Sequence, residues 1–248
     1  HPFNETAVPS CPQLAIRGKG FIKELWGVRY KKINNSPSFF YTPLWHQDLV
    51  GSPGKNPTVI SSMYMLETPS NGGETLFANL EKGYQNLESN YDIRKFKSLK
   101  CKYSTILSLE AEIDYTGFGR IDRYWENLQK KDIDFQNLIK STFVEQPFII
   151  RPDKESEKKA IMISPNKLYN FVDNNHVYSP DESHRLMREI LNKCVFTEDN
   201  VEILKYEKND LVLFNNRKVI HSSTPTYNIK GNRFMSLLFL DTNEKIYV

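Results

Sequence analysis

A histidine and an aspartate lie two residues apart in residues 44–50, which read LWHQDLV. Alternate side chains of an extended segment point to the same face, so those of His46 and Asp48 are expected to point the same way. A second histidine, His221, ends the segment NNRKVIH at residues 215–221. Two imidazoles and one carboxylate on one side of a divalent metal leave the opposite positions open, as in non-haem Fe(II) sites. We therefore expect His46, Asp48 and His221 to be metal ligands with a catalytic role.

An arginine and a threonine could hold an anion close to that metal. Arg233 follows His221 by twelve residues, and a turn over residues 227–231 would bring its strand back beside that of His221. Arginine pairs with a carboxylate through two parallel hydrogen bonds, and an unpaired charge inside an apolar strand is costly. Thr75 follows a Gly-Gly turn and could add a hydroxyl. These residues predict a pocket for a dicarboxylate that chelates the metal at one end and is held at the other by Thr75 and Arg233.

The elements that must position these residues are mostly short strands. Segments rich in β-branched, aromatic or aliphatic residues cover 21–30, 58–66, 102–109, 147–151, 160–164, 201–206, 211–214 and 233–240. Three helices are predicted over 80–88, 122–141 and 180–194, the first after Asn79 and the last after Ser179 as N-caps. Many short strands with a few inserted helices favour a β-sandwich or barrel over a βαβ fold.

The composition narrows the classes of partner. The chain of 248 residues has a net charge of +3, from 33 basic and 30 acidic side chains, which predicts no nucleic-acid partner. No segment approaches the ~20 apolar residues of a membrane span, so no membrane partner is expected. Cys11, Cys101 and Cys194 are far apart and odd in number. This cysteine pattern indicates a reducing compartment, and we expect an intracellular, cytoplasmic protein.

Three motifs occur in one order along the chain. They are Trp-His-x-Asp at residues 45–48, Gly-Gly-Glu-Thr at 72–75, and Asn-Arg-x-x-x-His at 216–221 followed by Arg233. Each motif alone is a weak signal, but the three together, with 29 residues from His46 to Thr75, are specific. In this order and spacing the sequence resembles the taurine dioxygenase (TauD/TfdA-like) family of Fe(II)- and 2-oxoglutarate-dependent dioxygenases.

The resemblance implies a fold and a reaction. The implied fold is mainly β, a double-stranded β-helix or jelly roll with a few flanking and inserted α-helices. The implied cofactor is Fe(II) bound by His46, Asp48 and His221, with 2-oxoglutarate and O2 as co-substrates. Thr75 and Arg233 are implied to bind the far carboxylate of 2-oxoglutarate. The implied reaction hydroxylates an unactivated C–H bond of a small molecule and releases succinate and CO2.

Two positions refine this expectation. Related halogenases have a small residue in place of the metal-binding carboxylate, so Asp48 argues for hydroxylation or a related oxidation. Taurine-specific members have a second arginine four residues after the co-substrate arginine, and this chain has Leu237 there. Taurine itself is therefore not the expected substrate.

Other functions stay open at this point. The same scaffold could catalyse desaturation or C–X cleavage, because these reactions begin with the same hydrogen abstraction. A non-catalytic jelly-roll protein that binds a metal or ligand is a further alternative, although it gives no reason to keep all four of His46, Asp48, His221 and Arg233. A zinc hydrolase could use the same metal ligands but leaves Thr75 and Arg233 without a role.

The remaining expectations concern packing and organisation. Trp45, Asn216 and Arg217 are expected to be structural, whereas His176 and His184 are expected to be exposed. Residues 1–248 are expected to form a single dioxygenase domain. Because the chain begins with His-Pro, a missing N-terminal part and organelle targeting stay open. Assembly into a homo-oligomer is also left open by the sequence.

Overall fold

The computed structural model describes residues 7–33, 44–54, 56–107, 133–174, 176–224, 230–240 and 245–248. The strands in these ranges are β1 (Ala7–Val8), β2 (Cys11–Leu25), β3 (Val28–Ile33), β4 (Ile60–Glu67), β5 (Thr75–Asn79), β6 (Lys100–Tyr103), β7 (Val144–Pro147), β8 (Ile149–Ile150), β9 (Ala160–Ile161), β10 (Leu168–Asp173), β11 (His176–Val177), β12 (Val201–Leu204), β13 (Leu211–Asn215), β14 (Val219–Ser223) and β15 (Arg233–Leu240). The α-helices are α1 (Leu80–Asn90), α2 (Ile133–Ser141) and α3 (Pro180–Ile190), and a π-helical turn at Leu191–Val195 extends α3. The expectation of a mainly β chain with a few helices is confirmed.

The strands form antiparallel sheets in the described part of the chain. The largest has six strands in the order β1-β2-β15-β4-β13, with β3 paired to β2. A second sheet has the order β12-β5-β14, a third the order β11-β10-β6-β7, and β8 pairs with β9. Antiparallel pairing by long connections between distant strands is the pattern of a jelly roll and excludes a βαβ fold.

The six-stranded and three-stranded sheets share a set of apolar side chains. Met63 and Met65 of β4 and Met235 of β15 are buried, and Phe77 of β5 packs against them. Each sheet therefore turns one face towards the other, and the space between them is lined by apolar residues. The candidate site residues are drawn from the strands on both sides of this space.

Alternation along β5 and β14 decides which side chains face this space. Ala78 and Ile220 are buried in the largest apolar core, on the opposite side of the three-stranded sheet. Their neighbours Phe77 and His221 are cross-strand partners and point the other way. Thr75, two residues before Phe77, lies on that same inner face.

The two predicted helix N-caps, Asn79 and Ser179, are confirmed. The side chain of Asn79 accepts hydrogen bonds from the backbone of Glu81 and Lys82 and so caps α1. Ser179 and Glu182 form a reciprocal capping box at the start of α3. The helix predicted over 122–141 is described only from residue 133, and its earlier part lies outside the described residues.

The strand prediction is right for β15 and only partly right for residues 21–30, which belong to two strands, β2 and β3. Those residues contain a two-residue turn at Trp26 and Gly27, with φ of 50° and 82°, so that β2 and β3 form a hairpin. Such a turn normally carries Asn-Gly or Asp-Gly, and a tryptophan at positive φ gives no turn signal in the sequence. No α-helix within the described ranges is long and apolar enough to cross a membrane.

Candidate active site

The two histidines of the predicted metal site are direct backbone partners. The N–H of His46 donates to the carbonyl of His221 at 2.9 Å, and the N–H of His221 donates to the carbonyl of His46 at 3.0 Å. This isolated antiparallel bridge joins the segment of His46 to β14 and places the two imidazole centroids 4.3 Å apart. Residues separated by most of the chain thus meet because of one strand-like pairing.

Asp48 completes a group of three potential metal ligands. One ligand atom from each of His46, Asp48 and His221 lies within 4.8 Å of the other two. Nε2 of His46 and Nε2 of His221 are each 3.7 Å from a carboxylate oxygen of Asp48, which is too long for a hydrogen bond. The three groups therefore converge on a common point without bonding each other, and this donor set fits a divalent cation.

The state of each imidazole suits metal binding. Nδ1 of His46 lies 2.8 Å from the carbonyl oxygen of Leu44, so Nδ1 is the donor in this contact and Nε2 is the nitrogen that faces the other ligands. The pKa of His221 is lowered to about 4, chiefly by burial; Asp48 opposes this shift and the neighbouring His46 adds to it. His221 is therefore neutral at neutral pH, which is the form that binds metals.

Two polar side chains hold Asp48 in place. The hydroxyl of Ser61 donates to Oδ2 of Asp48 at 2.7 Å. The amide of Asn216 accepts from the N–H of Asp48 at 2.7 Å and donates to its carbonyl at 2.9 Å. Asn216 is fully buried and also donates to the carbonyl of Thr58 at 3.1 Å. The expectation that Asn216 is structural is right, and its specific task is to fix the backbone of Asp48.

The residues between and beside the ligands anchor the same segment. Gln47 is fully buried, donates to the carbonyl of Asn216 at 2.7 Å and accepts from the N–H of Ile163 at 2.7 Å. Trp45 is buried and stacks on Phe196 with ring centroids 4.4 Å apart. Because Trp45 and Gln47 face the protein, the alternating His46 and Asp48 face the site.

Two cations lie within electrostatic reach of Asp48. Burial lowers the pKa of Arg17 to about 10, and the Asp48 carboxylate opposes this shift. Burial likewise lowers the pKa of Lys167 to about 8, again against Asp48. Arg17 is the cross-strand partner of Met235, so it lies on the face of the large sheet that carries Met235 and Arg233. Both cations therefore interact electrostatically with Asp48.

Thr75 and Arg233 lie in the space between the sheets, at the ends of their strands. Thr75 begins β5, is 3% exposed and pairs with Ser223 of β14 and Leu204 of β12. Arg233 begins β15 and is 2% exposed. The structure therefore buries both of the residues that the sequence assigns to the far carboxylate.

The guanidinium of Arg233 is fixed on one side and unsatisfied on the other. Its Nε donates to the carbonyl of Gly73 at 2.8 Å. A Cβ on Gly73 would lie 2.9 Å from Cδ of Arg233, so a glycine is required for this approach. Nη2 of Arg233 is buried and finds no hydrogen-bond partner among the described residues. A buried, unpaired N–H of a cation is costly unless an anion meets it, so this position fits a carboxylate.

Tyr206, which the sequence did not single out, lies beside these two residues. Its ring packs on the cluster of Met63, Met65 and Met235, and its hydroxyl is buried without a hydrogen-bond partner in the described part of the chain. Burial raises the pKa of Tyr206, whereas the nearby Thr75 hydroxyl and Arg233 guanidinium lower it. Tyr206 is brought to this position by the pairing of β12 with β5. Residue spacing in the sequence does not predict that pairing, so the sequence held no signal for Tyr206.

Two further histidines of the described residues, His176 and His184, differ from each other. His176 is exposed, as expected. The expectation that His184 is exposed is wrong, because this residue is 4% exposed on the inward side of α3 and its Nε2 lies 2.8 Å from the carbonyl oxygen of Leu168. Burial lowers the pKa of His184 to about 4. The prediction was wrong because the residues next to His184 in the sequence are polar, whereas in the helix it lies on the same buried face as Met187.

Comparison with solved structures places the fold among dioxygenases. A taurine dioxygenase from Burkholderia xenovorans is 15% identical, with a TM-score of 0.63 over 98% of this chain and 66% of its own. AAD-2 in complex with Mn(II) and N-oxalylglycine is 18% identical, with a TM-score of 0.60 over 85% of this chain and 72% of its own. The chain thus spans about two thirds of the length of the first of these structures. At such identities the likeness shows the fold alone.

A family model matches most of the chain, whereas the curated protein sequences do not. No curated protein sequence matches the chain. The model of the family described as taurine catabolism dioxygenase TauD, TfdA family matches residues 20–238. This range includes all three motifs and the candidate site residues from His46 to Arg233. The chain therefore belongs to the TauD/TfdA family of dioxygenases.

Proposed function

We propose that the protein is an Fe(II)- and 2-oxoglutarate-dependent dioxygenase that hydroxylates an unactivated C–H bond of a small molecule. His46, Asp48 and His221 are the proposed metal ligands, and Thr75 and Arg233 the proposed contacts of the far carboxylate of 2-oxoglutarate. The matched family and the solved 2-oxo-acid analogue complex of AAD-2 support this assignment. We further propose that residues 1–248 act as one domain, which the match over 20–238 supports.

The observation that carries the proposal is the coexistence of two incomplete sites in one space. One is a set of three converging ligand atoms, and the other is a buried arginine with a free N–H. A metal alone completes the first and leaves the second unsatisfied. A dicarboxylate that chelates the metal and extends to Arg233 completes both, which a simple metal-binding protein does not require.

Each residue has a defined task in this function. Fe(II) with bound 2-oxoglutarate supplies the activation of O2 that yields succinate, CO2 and an oxidised substrate. His46 and His221 bind as neutral donors, and Asp48 offsets one of the two metal charges while leaving positions open. Arg233, which is itself buried, orients the dicarboxylate through a charge-assisted hydrogen bond.

The alternatives make different demands on the same residues. A zinc hydrolase accounts for the three ligands but gives no reason to bury Arg233 with an unpaired N–H. A non-catalytic binding protein would bind both groups without consuming O2. Desaturation and C–X cleavage share the proposed site and differ from hydroxylation only in the product.

The identity of Leu237 limits the substrate. Leu237 lies on β15 four residues after Arg233 and packs against the methionine cluster between the sheets. A leucine cannot pair with a sulfonate, so we propose a small-molecule substrate other than taurine.

The test is an anaerobic titration of 2-oxoglutarate into protein loaded with Fe(II), followed by exposure to O2. We expect the visible charge-transfer absorption of an Fe(II)–2-oxo-acid chelate, and then Fe(II)-dependent release of succinate. Protein loaded with Zn(II) is the control and should release none. A protein that binds Fe(II) but forms no chelate would contradict the proposal. A chelate that never yields succinate would favour the non-catalytic binding protein.

A further inference from the structure

Tyr206 occupies a position that neither the motifs nor the family match assigns to a role. It follows β12 by two residues, and the last residue of that strand, Leu204, is the cross-strand partner of Thr75. The pairing of β12 with β5 therefore carries Tyr206 to the end of the space between the sheets where Thr75 lies. Arg233 reaches the same place from β15, on the opposite sheet.

The three side chains form one electrostatic group. The hydroxyl of Tyr206 is close enough to Thr75 and Arg233 for both to affect its protonation, and Tyr206 in turn affects that of Arg233. The interaction between the Tyr206 and Thr75 hydroxyls falls short of normal hydrogen-bond geometry, so the Tyr206 hydroxyl and Nη2 of Arg233 are both buried without a well-formed hydrogen bond among the described residues. Two unsatisfied buried groups at one point are rare in native proteins, because each loses its bonds to water on folding. Their coincidence points to a ligand that accepts from both.

A structural role does not account for the hydroxyl. The ring of Tyr206 packs against the cluster formed by Met63, Met65 and Met235, and a phenylalanine ring could pack in the same way. A tyrosine hydroxyl buried without a partner only weakens the folded state, whereas one that meets an anion strengthens binding. The hydroxyl is therefore explained by a bound acceptor and not by packing.

We propose that the Tyr206 hydroxyl donates a hydrogen bond to the far carboxylate of 2-oxoglutarate, beside Thr75 and Arg233. This inference rests on the proposed function. It makes Tyr206 a binding residue that recognises the dicarboxylate and has no contact with the metal. The chelating end of the co-substrate is bound by the metal and is independent of Tyr206.

The test compares two 2-oxo acids on Tyr206→Phe and on the unchanged protein. 2-Oxoglutarate has the far carboxylate, and 2-oxopentanoate has the same chain length with a methyl end. With Fe(II) bound and O2 absent, we expect Tyr206→Phe to weaken 2-oxoglutarate binding about 10- to 100-fold, as for a hydrogen bond to a charged group. Binding of 2-oxopentanoate and of Mn(II) should be unchanged. The ligand-free variant should unfold at the same temperature as the unchanged protein or a higher one.

Tyr64→Phe is the matched control. Tyr64 is on the outer side of β4, and its hydroxyl donates to Oδ1 of Asn209 at 3.1 Å at the surface. This variant loses a tyrosine hydroxyl outside the site, so its affinity for 2-oxoglutarate should be that of the unchanged protein.

The outcomes separate the two proposals. If the unchanged protein binds Fe(II) but not 2-oxoglutarate, the proposed function fails and this inference fails with it. If the unchanged protein binds 2-oxoglutarate and Tyr206→Phe binds it equally well, only this inference is wrong. Equal weakening of both 2-oxo acids would also overturn it, because the hydroxyl would then act on the chelating end. A crystal structure of the unchanged protein with Mn(II) and 2-oxoglutarate tests the contact without a variant: a phenol oxygen beyond hydrogen-bond distance from the far carboxylate would overturn it.

Discussion

The two ends of the candidate site are supported in different ways. At the metal end, hydrogen bonds within the protein orient two of the proposed ligands. The carbonyl of Leu44 accepts from His46, and Ser61 and Asn216 form hydrogen bonds with Asp48. At the carboxylate end, Arg233 has one buried N–H without a partner in the described residues, and the hydroxyl of Tyr206 likewise has none there. Nδ1 of His221 departs from this pattern, because it too is buried without a described partner.

This difference teaches that one end is built by the fold and the other is completed by a ligand. Preorganised metal ligands bind without reorganising the chain, so their supporting residues should affect metal affinity and stability together. Unsatisfied groups at the other end destabilise the free protein, and only a bound ligand supplies the missing hydrogen bonds. Variants at the two ends should therefore separate metal affinity, co-substrate affinity and stability.

The largest effect is expected from removing a proposed ligand at the metal end. His221→Ala takes away one of three donors and should lower Mn(II) affinity by more than the ~100-fold typical of a supporting residue. Isothermal titration calorimetry of the metal-free protein with Mn(II), under argon, measures this directly. His176→Ala, at an exposed histidine, is the control and should keep full affinity. Unchanged Mn(II) binding in His221→Ala would place the metal elsewhere.

The next effect is expected at the carboxylate end. Arg233→Met keeps much of the side-chain length but removes the charge, and should weaken 2-oxoglutarate binding ~100-fold or more, since charge-assisted hydrogen bonds are lost. Mn(II) affinity should stay the same. The ligand-free variant should be no less stable, because a buried and partly unsatisfied cation has been removed. A parallel loss of Mn(II) affinity would show that the two ends are not separable.

A supporting residue at the metal end should affect both stability and metal binding. The Asn216 side chain makes three hydrogen bonds, two to the backbone of Asp48 and one to that of Thr58. Asn216→Ala should cost roughly 2–4 kcal/mol of unfolding free energy, at about 1 kcal/mol per bond plus the groups left unpaired, and should lower Mn(II) affinity roughly 10- to 100-fold. Urea unfolding and calorimetry measure the two effects. Loss of stability with unchanged metal affinity would mean that Asn216 does not position Asp48.

Much of the metal end was predictable from the sequence, because histidine and aspartate are recognisable as metal-ligand residue types. The alternation of His46 and Asp48, and the segment that ends in His221, indicated a shared face before any fold was known. The resemblance to a known family then gave the order of motifs and the jelly roll. What the sequence did not give is the backbone bridge between His46 and His221, since pairing between distant segments depends on the whole fold.

The carboxylate end was predicted only in part. Thr75 and Arg233 carried motif signals, whereas Tyr206 came to the site through the pairing of β12 with β5. Residues 11–20 of β2 also escaped prediction, because Gly18 and Gly20 weaken any strand pattern. The structure explains Gly18 by a close approach: a Cβ there would lie 1.7 Å from the carbonyl oxygen of Arg233.

The smallest effect is expected at His184, which is buried like His221 but lies outside the candidate metal site. Burial lowers the pKa of both His184 and His221 to about 4, but only His221 has potential metal ligands as neighbours. A histidine with a lowered pKa in the folded state binds fewer protons there than in the unfolded state. The contribution of each histidine to the unfolding free energy is therefore fully present above pH ~6.5. It is lost as the pH falls towards 4, by at most about 1.4 kcal/mol per pH unit for each histidine.

His184→Gln should remove one share of this acid sensitivity. Glutamine can keep a donor near the carbonyl of Leu168, but it does not titrate. In the metal-free protein, the loss of unfolding free energy between pH 7 and pH 5 should be smaller in His184→Gln than in the unchanged chain, as measured by urea unfolding. His176→Gln, at the surface, should keep the original pH dependence, and Mn(II) affinity at pH 7 should be unchanged in both variants. Identical pH dependence in His184→Gln and the unchanged chain would mean that His184 has the same pKa in the folded and unfolded states, and that burial alone does not depress a histidine pKa in this protein.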